Sequence, residues 1–250
     1  MMQYRDLIEF RVACETAGVT TPAPIVRGIE LIDLAHAAAV SQPPALLDLA
    51  DDEVAGQVFD LSVREHSSTD KWNFASAKGL GPGSQVFESR LCDEVQAATI
   101  PLLDDLVIAL RPKFDALTAP IVVAAQQYGF TYATTSDQVI DLADEGASAA
   151  WREARAAWKT VTPIVRFRMR VSDLFGVSPT LEELARNFYT PNPRIELDYS
   201  VCFAAGSAWS YDHALYLGQK PGQLDWFALA AGGLHLNTPS EVRELIAARR

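Results

Sequence analysis

Cysteine and histidine are scarce in this 250-residue chain, with three of the first and four of the second. Cys14, Cys92 and Cys202 are odd in number and far apart, which excludes a disulfide framework and a CxxC metal knuckle as organising devices. His36, His66, His213 and His235 are equally dispersed, without an HExxH helix, a Cys/His cluster or an EF-hand loop, so neither a metal site nor a cofactor is expected. Long apolar runs are missing too: no window reaches the roughly 18 consecutive apolar residues of a membrane span. The opening MMQYRDLIEF has no basic segment followed by an apolar core, so the chain reads as soluble, unsecreted and cytoplasmic. Basic charge is in short supply: 21 Lys and Arg face 32 Asp and Glu, giving a net charge of −11 and a pI near 4.8. Such a balance argues against a sequence-independent polyanion binder, so neither nucleic acid nor a membrane is the expected partner.

What is present is a large apolar fraction, 49%, sufficient for the core of one large domain or two modest ones. The acid is uneven: residues 1–66 hold eleven acids against four bases, residues 191–250 six against five. Residues 67–84, SSTDKWNFASAKGLGPGS, lack apolar periodicity and read as a linker or loop. Tyr189-Thr190-Pro191-Asn192-Pro193 reads as a second break, because neither proline continues a helix. The expected organisation is an N-terminal helical region (1–66), the linker (67–84), a central helical bundle (85–190) and a C-terminal α+β region (191–250). The expected fold class is mainly α, an antiparallel helical bundle with a small C-terminal β-hairpin plus helix.

The helical expectation rests on spacing. Tyr4, Leu7, Ile8, Arg11 and Val12 mark a first helix that Gly18 stops. Ile25, Ile29, Ile32 and His36 follow Thr21-Pro22 as a second. Phe87, Leu91, Val95, Ala98, Leu102, Leu106 and Leu110 form one stripe more than six turns long if Pro101 only kinks it, and Phe114, Leu117, Ile121, Ala125 and Tyr128 carry it on to Gly129. Trp151, Ala154, Arg155 and Trp158 restart helical spacing between Ser148 and Lys159. In the tail, Ile195, Leu197, Tyr199, Val201 and Phe203 alternate with Glu196, Asp198, Ser200 and Cys202, and Trp209, Tyr211, His213, Leu215 and Leu217 repeat the alternation, which predicts a hairpin. Thr238-Pro239-Ser240-Glu241 is a capping box opening a last helix, and Thr180-Leu181-Glu182-Glu183 is the same device opening a helix to about Phe188.

Few residues carry candidate chemistry. Arg166, Arg168 and Arg170 put three guanidinium groups within five residues of an acidic chain, a candidate phosphate, nucleic-acid or carboxylate contact. As a strand all three share a face; as a helix begun by Thr162-Pro163, the favoured reading, only Arg166 and Arg170 align, with Ile164, Phe167, Val171 and Leu174 as the apolar stripe. Pairing with the surplus carboxylates is the plainer account of the cluster. Cys202, His213 and Asp212 are the weak catalytic candidates for a small hydrolase or transferase with a discontinuous site, since Cys–His proximity is the minimum for an activated thiolate. Ser68-Thr69-Asp70-Lys71 matches S-x-x-K without its supporting triplets, and Lys78 to Gly83 is glycine-rich without phosphate-loop order. Trp72 in the polar linker, with Trp209, Tyr211 and Trp226, are the candidate partner-binding aromatics.

The Ala/Asp-rich helices, LRPKFD at 110–115, WREARAAW at 151–158 and LFGVSPT at 174–180 resemble helical proteins of actinobacterial phages and prophages. The resemblance covers about the central third of the chain and implies a virion-assembly or accessory role, with localisation to the virion as the alternative to the cytoplasm. Near-empty catalytic chemistry and abundant helical stripes point the same way: a non-enzymatic, oligomeric assembly or interaction protein whose partner is another protein, itself or another assembly subunit.

Overall fold

The structure is a computed structural model, and it describes residues 2–40, 50, 52–56, 58, 82–175, 199–205 and 226–248. Those residues are mainly α-helical, with no strand among them. The helices are α1 (Tyr4–Ala17), α2 (Ala23–Val40), α3 (Pro82–Thr99), α4 (Leu103–Tyr128), α5 (Ser136–Asp141), α6 (Glu145–Phe175), α7 (Trp226–Gly232) and α8 (Pro239–Ala247). None of the described helices is long and apolar enough to cross a membrane. Two compact units result, one made of Met1–Arg11 with Pro22–Thr99, the other of Val12–Thr21 with Ile100–Arg250.

In the first unit, Leu7 and Phe10 from α1, Ile25, Ile29 and Ile32 from α2, and Cys92 and Val95 from α3 are buried. The core stripe of α1 is Leu7, Phe10, Cys14 and Ala17; Val12, expected on it, is exposed, because it lies about 200° round the helix from Phe10, which buries more apolar area. Helix α3 begins at Pro82, inside the stretch expected as linker, where proline costs nothing because the first helical N–H is unpaired in any case. The remainder of that stretch, 67–81, lies outside the described residues.

In the second unit, α3 gives way to a 3-10 turn at Ile100–Leu102 before α4 starts, so Pro101 breaks the long stripe rather than kinking it. The buried positions of α4 accordingly restart at Leu103, Val107, Leu110 and Phe114, while Leu102 faces solvent. Pro112 and Pro120 are carried inside α4, and Gly129 ends it in the left-handed region at φ 65°, its N–H donating to Ala125 O while Phe130 N–H reaches back to Ala124 O. Helix α6 is continuous through Pro163, so the segments expected as two helices are one of 31 residues, about 45 Å long. Hydroxyls of Thr160 and Thr162 donate to the carbonyls of Ala157 and Trp158 in the turn before the proline, where the regular ladder is interrupted. Phe130 meets Trp151, Ile121 and Trp158 line one groove, and Arg111 and Arg168 reach adjacent carbonyls, so α4 and α6, joined through the short α5, run antiparallel.

The C-terminal expectation divides. The capping box at α8 is present, Thr238 N–H donating to Glu241 Oε2 at 2.8 Å and Glu241 N–H to Thr238 Oγ1 at 3.2 Å. The hairpin is not supported: Tyr199–Cys202 is a 3-10 helix, and the antiparallel pairing of this region among the described residues is one isolated bridge, Ala204 to Leu234. Alternation misled because Ser200 and Cys202, the positions expected to face solvent, are as buried as Val201. Small polar residues fit inside a core, so their period does not mark a wet face. The second half of the expected hairpin and the helix expected from Thr180 lie outside the described residues.

Gly28 of α2 is where the first unit is tightest: a Cβ there would stand 2.6 Å from Val95 Cγ2 of α3. Gly28→Ala should destabilise the chain by about 1–3 kcal/mol in urea unfolding through overpacking. Adding Val95→Ala should recover part of that loss; no recovery would place the cost in the α2 backbone instead.

Candidate functional site

Among the buried positions of α6, Ala147, Ala150, Ala154, Ala157, Val161, Ile164, Arg168, Val171 and Phe175 form a seam at alternating steps of three and four, and Val165, Phe167, Met169 and Ser172 are buried beside it. Arg168 thus occupies a core position in an otherwise apolar seam, and its side chain is fully buried. Its Nε donates to Asn237 O at 2.6 Å and its Nη1 to Ser172 Oγ at 2.7 Å, while Nη2 is buried without a hydrogen-bond partner. No carboxylate among the described residues pairs with it. Asn237 in turn donates its Nδ2 to Val201 O at 2.8 Å and Ala204 O at 2.7 Å, and its N–H to Cys202 O at 2.9 Å. From α4, Arg111 Nε donates to Leu236 O at 3.0 Å and its Nη2 to Glu241. Two arginines from antiparallel helices therefore hold consecutive carbonyls of the extended segment before α8.

The sequence-predicted residues separate. Arg166 is exposed, Arg168 is fully buried and Arg170 is half-buried, so the three guanidinium groups share no face. Cys202 is fully buried, its Sγ 3.8 Å from Ser172 Oγ. Trp226 is buried on an aromatic chain, edge-on to Trp158 with centroids 4.8 Å apart and tilted against Phe203 at 5.2 Å. Trp72, Trp209, Tyr211, Asp212 and His213 lie outside the described residues. Among the described residues no group of three or more His, Cys, Asp or Glu could hold a metal ion.

Burial dominates the titrating groups. It pushes the Cys14 thiol up to about 12 and the Cys92 thiol up to about 11, which removes thiolate, and hence nucleophilicity, at neutral pH. Burial raises the Asp173 carboxyl, against the opposing pull of Tyr199 and Arg170, and it raises Tyr199, whose hydroxyl donates to Asp173. For Glu241 burial acts upward but is outweighed by the Thr238 N–H, Arg111 and His235, so its carboxyl sits below the usual glutamate range. In the first unit the Asp33 hydrogen bond, with burial, pushes Tyr4 up to about 12, and His36 Nε2 meets Glu88 Oε2 at 3.1 Å between α2 and α3.

Sequence reasoning passed over a second feature of α6. An open groove of about 210 Å³ lies between α4, α6 and α7, floored by Ile121, Trp158, Trp226 and Phe227 and edged by Arg155 and Lys159. Trp151 stacks on Phe227 at 5.8 Å, and Gln126 Nε2 donates to Ala230 O at 3.1 Å, so aromatic stacking and this hydrogen bond both help to seat α7. Arg155 and Lys159 are four apart on one helix face, a like-charged pairing that costs about 0.2–0.5 kcal/mol. Their helical neighbours at three and four residues include no acid, a signal readable in WREARAAWK. Comparisons with protein families, curated proteins and solved structures gave no match to this chain.

Arg168→Ala should cost at least about 3 kcal/mol, combining a core cavity with the orphaned Asn237 carbonyl, whereas Arg166→Ala should stay within about 0.5 kcal/mol; chemical denaturation separates them. The lowered Glu241 pKa predicts a contribution present above the unfolded glutamate value and lost as pH falls through the folded one. Glu241→Gln should therefore flatten the acid limb of a melting-temperature profile below about pH 5; an unchanged limb would assign acid lability elsewhere.

Proposed function

We propose that this chain is a non-enzymatic assembly or interaction protein, serving a phage or prophage virion as a structural or accessory component in the cytoplasm or the virion. Its partner on this reading is protein, either a second copy or another assembly subunit. The observation that carries the proposal is where the chemically capable side chains go. Cys202, the described member of the Cys202, His213 and Asp212 constellation, is fully buried beside Ser172. Arg168, the centre of the guanidinium cluster, is inside the core holding Asn237. Both do structural work in the described residues, which favours a scaffold over a reactive centre.

Light scattering on a size-exclusion column at several concentrations tests the self-assembling form, and a discrete multimer is the expected outcome. Thiol titration with Ellman's reagent tests the enzymatic alternative. The native chain should release little thionitrobenzoate, and the denatured chain the equivalent of its three cysteines. A concentration-independent monomer with one rapidly reacting thiol at Cys202 would replace the assembly reading with that of a thiol hydrolase or transferase.

A further inference from the structure

We infer that the groove between α4, α6 and α7 is a binding site for a small amphipathic anion, a compact aromatic or aliphatic body carrying one carboxylate, sulfonate or phosphate group. The inference does not depend on the assembly reading. Size selects the body. An apolar cavity of about 150 Å³ in another protein takes up benzene, so the roughly 210 Å³ here suits one fused ring system. The floor selects for flat apolar groups: the half-buried rings of Trp158 and Phe227 line the groove, and the buried Trp226 backs them, edge to face with Trp158 at an interplanar angle of 72°.

Charge selects the head group. The aliphatic stems of Arg155 and Lys159 line the groove, one turn apart, and neither side chain makes a hydrogen bond or ion pair among the described residues. On a chain with 32 acids and 21 bases, cations are the minority, so two of them repelling one another beside an aromatic floor is the pattern an external anion relieves. The guanidinium fork presents parallel donors to two oxygens of one head group, and the ammonium adds a mobile third contact.

The test uses the full chain labelled with 15N and 1-naphthylacetate as probe, with 1-naphthylethanol as its uncharged counterpart, followed by the five tryptophan indole N–H resonances. Saturable one-to-one shifts of the Trp158 and Trp226 signals are expected, Trp158 being assigned by its loss in Trp158→Phe. The uncharged counterpart, and the Arg155→Glu/Lys159→Glu double variant, should each bind roughly five- to tenfold more weakly, as expected for two partly exposed ion pairs. Both substituted residues are exposed; should the double variant lose its far-UV helix signal, Arg155→Gln/Lys159→Gln replaces it with the same expectation. Equal affinity for the two naphthyl compounds, or unchanged affinity in the charge variants, would overturn the anion assignment. Absence of saturable shifts, or binding that vanishes as a second copy of the chain occupies the groove at high protein concentration, would overturn the site.

Discussion

A buried guanidinium that pairs with no carboxylate among the described residues is the constraint around which the second unit is built. Arg168 stands at a seam position of α6 that its spacing reserves for an apolar residue, and its charge is met by neutral acceptors, the Asn237 carbonyl and the Ser172 hydroxyl. Removing an ion from water costs several kcal/mol even after relaxation, so the acceptors must be held in place rather than merely found. Asn237 achieves this by donating to Val201 O and Ala204 O with one amide nitrogen while its own N–H takes Cys202 O. The 3-10 helix, the extended segment and α6 are thus fixed by one connected set of bonds.

That set explains why the C-terminal region is irregular. Carbonyls that a strand would offer to a neighbouring strand are used here by side chains, Leu236 O by Arg111 and Asn237 O by Arg168. On the other side, His235 N–H and Asn237 N–H donate to the carbonyls of Phe203 and Cys202, so the segment is held by a mixture of side-chain and backbone bonds rather than by a regular ladder. Regular structure resumes at Thr238, where Glu241 serves two masters: it caps α8 through the Thr238 N–H and pairs with Arg111 from α4. The start of α8 is therefore set by the same arginine that holds the segment before it.

Legibility in the sequence followed locality. Local signals survived: the Gly18 and Gly129 stops, the buried Ile25, Ile29 and Ile32 row of α2, and the Thr238 capping box depend on residues within a turn of one another. Signals needing a tertiary partner failed. Pro163 is a local exception: it looked like a helix start, although the Thr160 and Thr162 hydroxyls bond carbonyls of their own helix within a turn of it. The Tyr199 to Phe203 alternation looked like a strand because whether Ser200 faces water is decided by what packs over it. In the three-arginine cluster a helical reading separated Arg168 from its neighbours, yet its burial became visible only with the Asn237 carbonyl, 69 positions away.

Arg155 and Lys159 mark the opposite case, a feature legible in the sequence but less conspicuous than the denser cluster at Arg166, Arg168 and Arg170. A charged residue on a helix is ordinarily explained by an opposite charge three or four positions away. Arg155 has Trp151, Arg152, Trp158 and Lys159 at those positions, and Lys159 has Arg155, Ala156, Thr162 and Pro163. No intrahelical partner exists for either, so their charge is answered by solvent or by something outside the helix. Density of charge was a poorer guide than absence of a partner: three arginines in five residues dissolved into core, half-buried and surface positions, while two cations one turn apart stayed together on an aromatic groove.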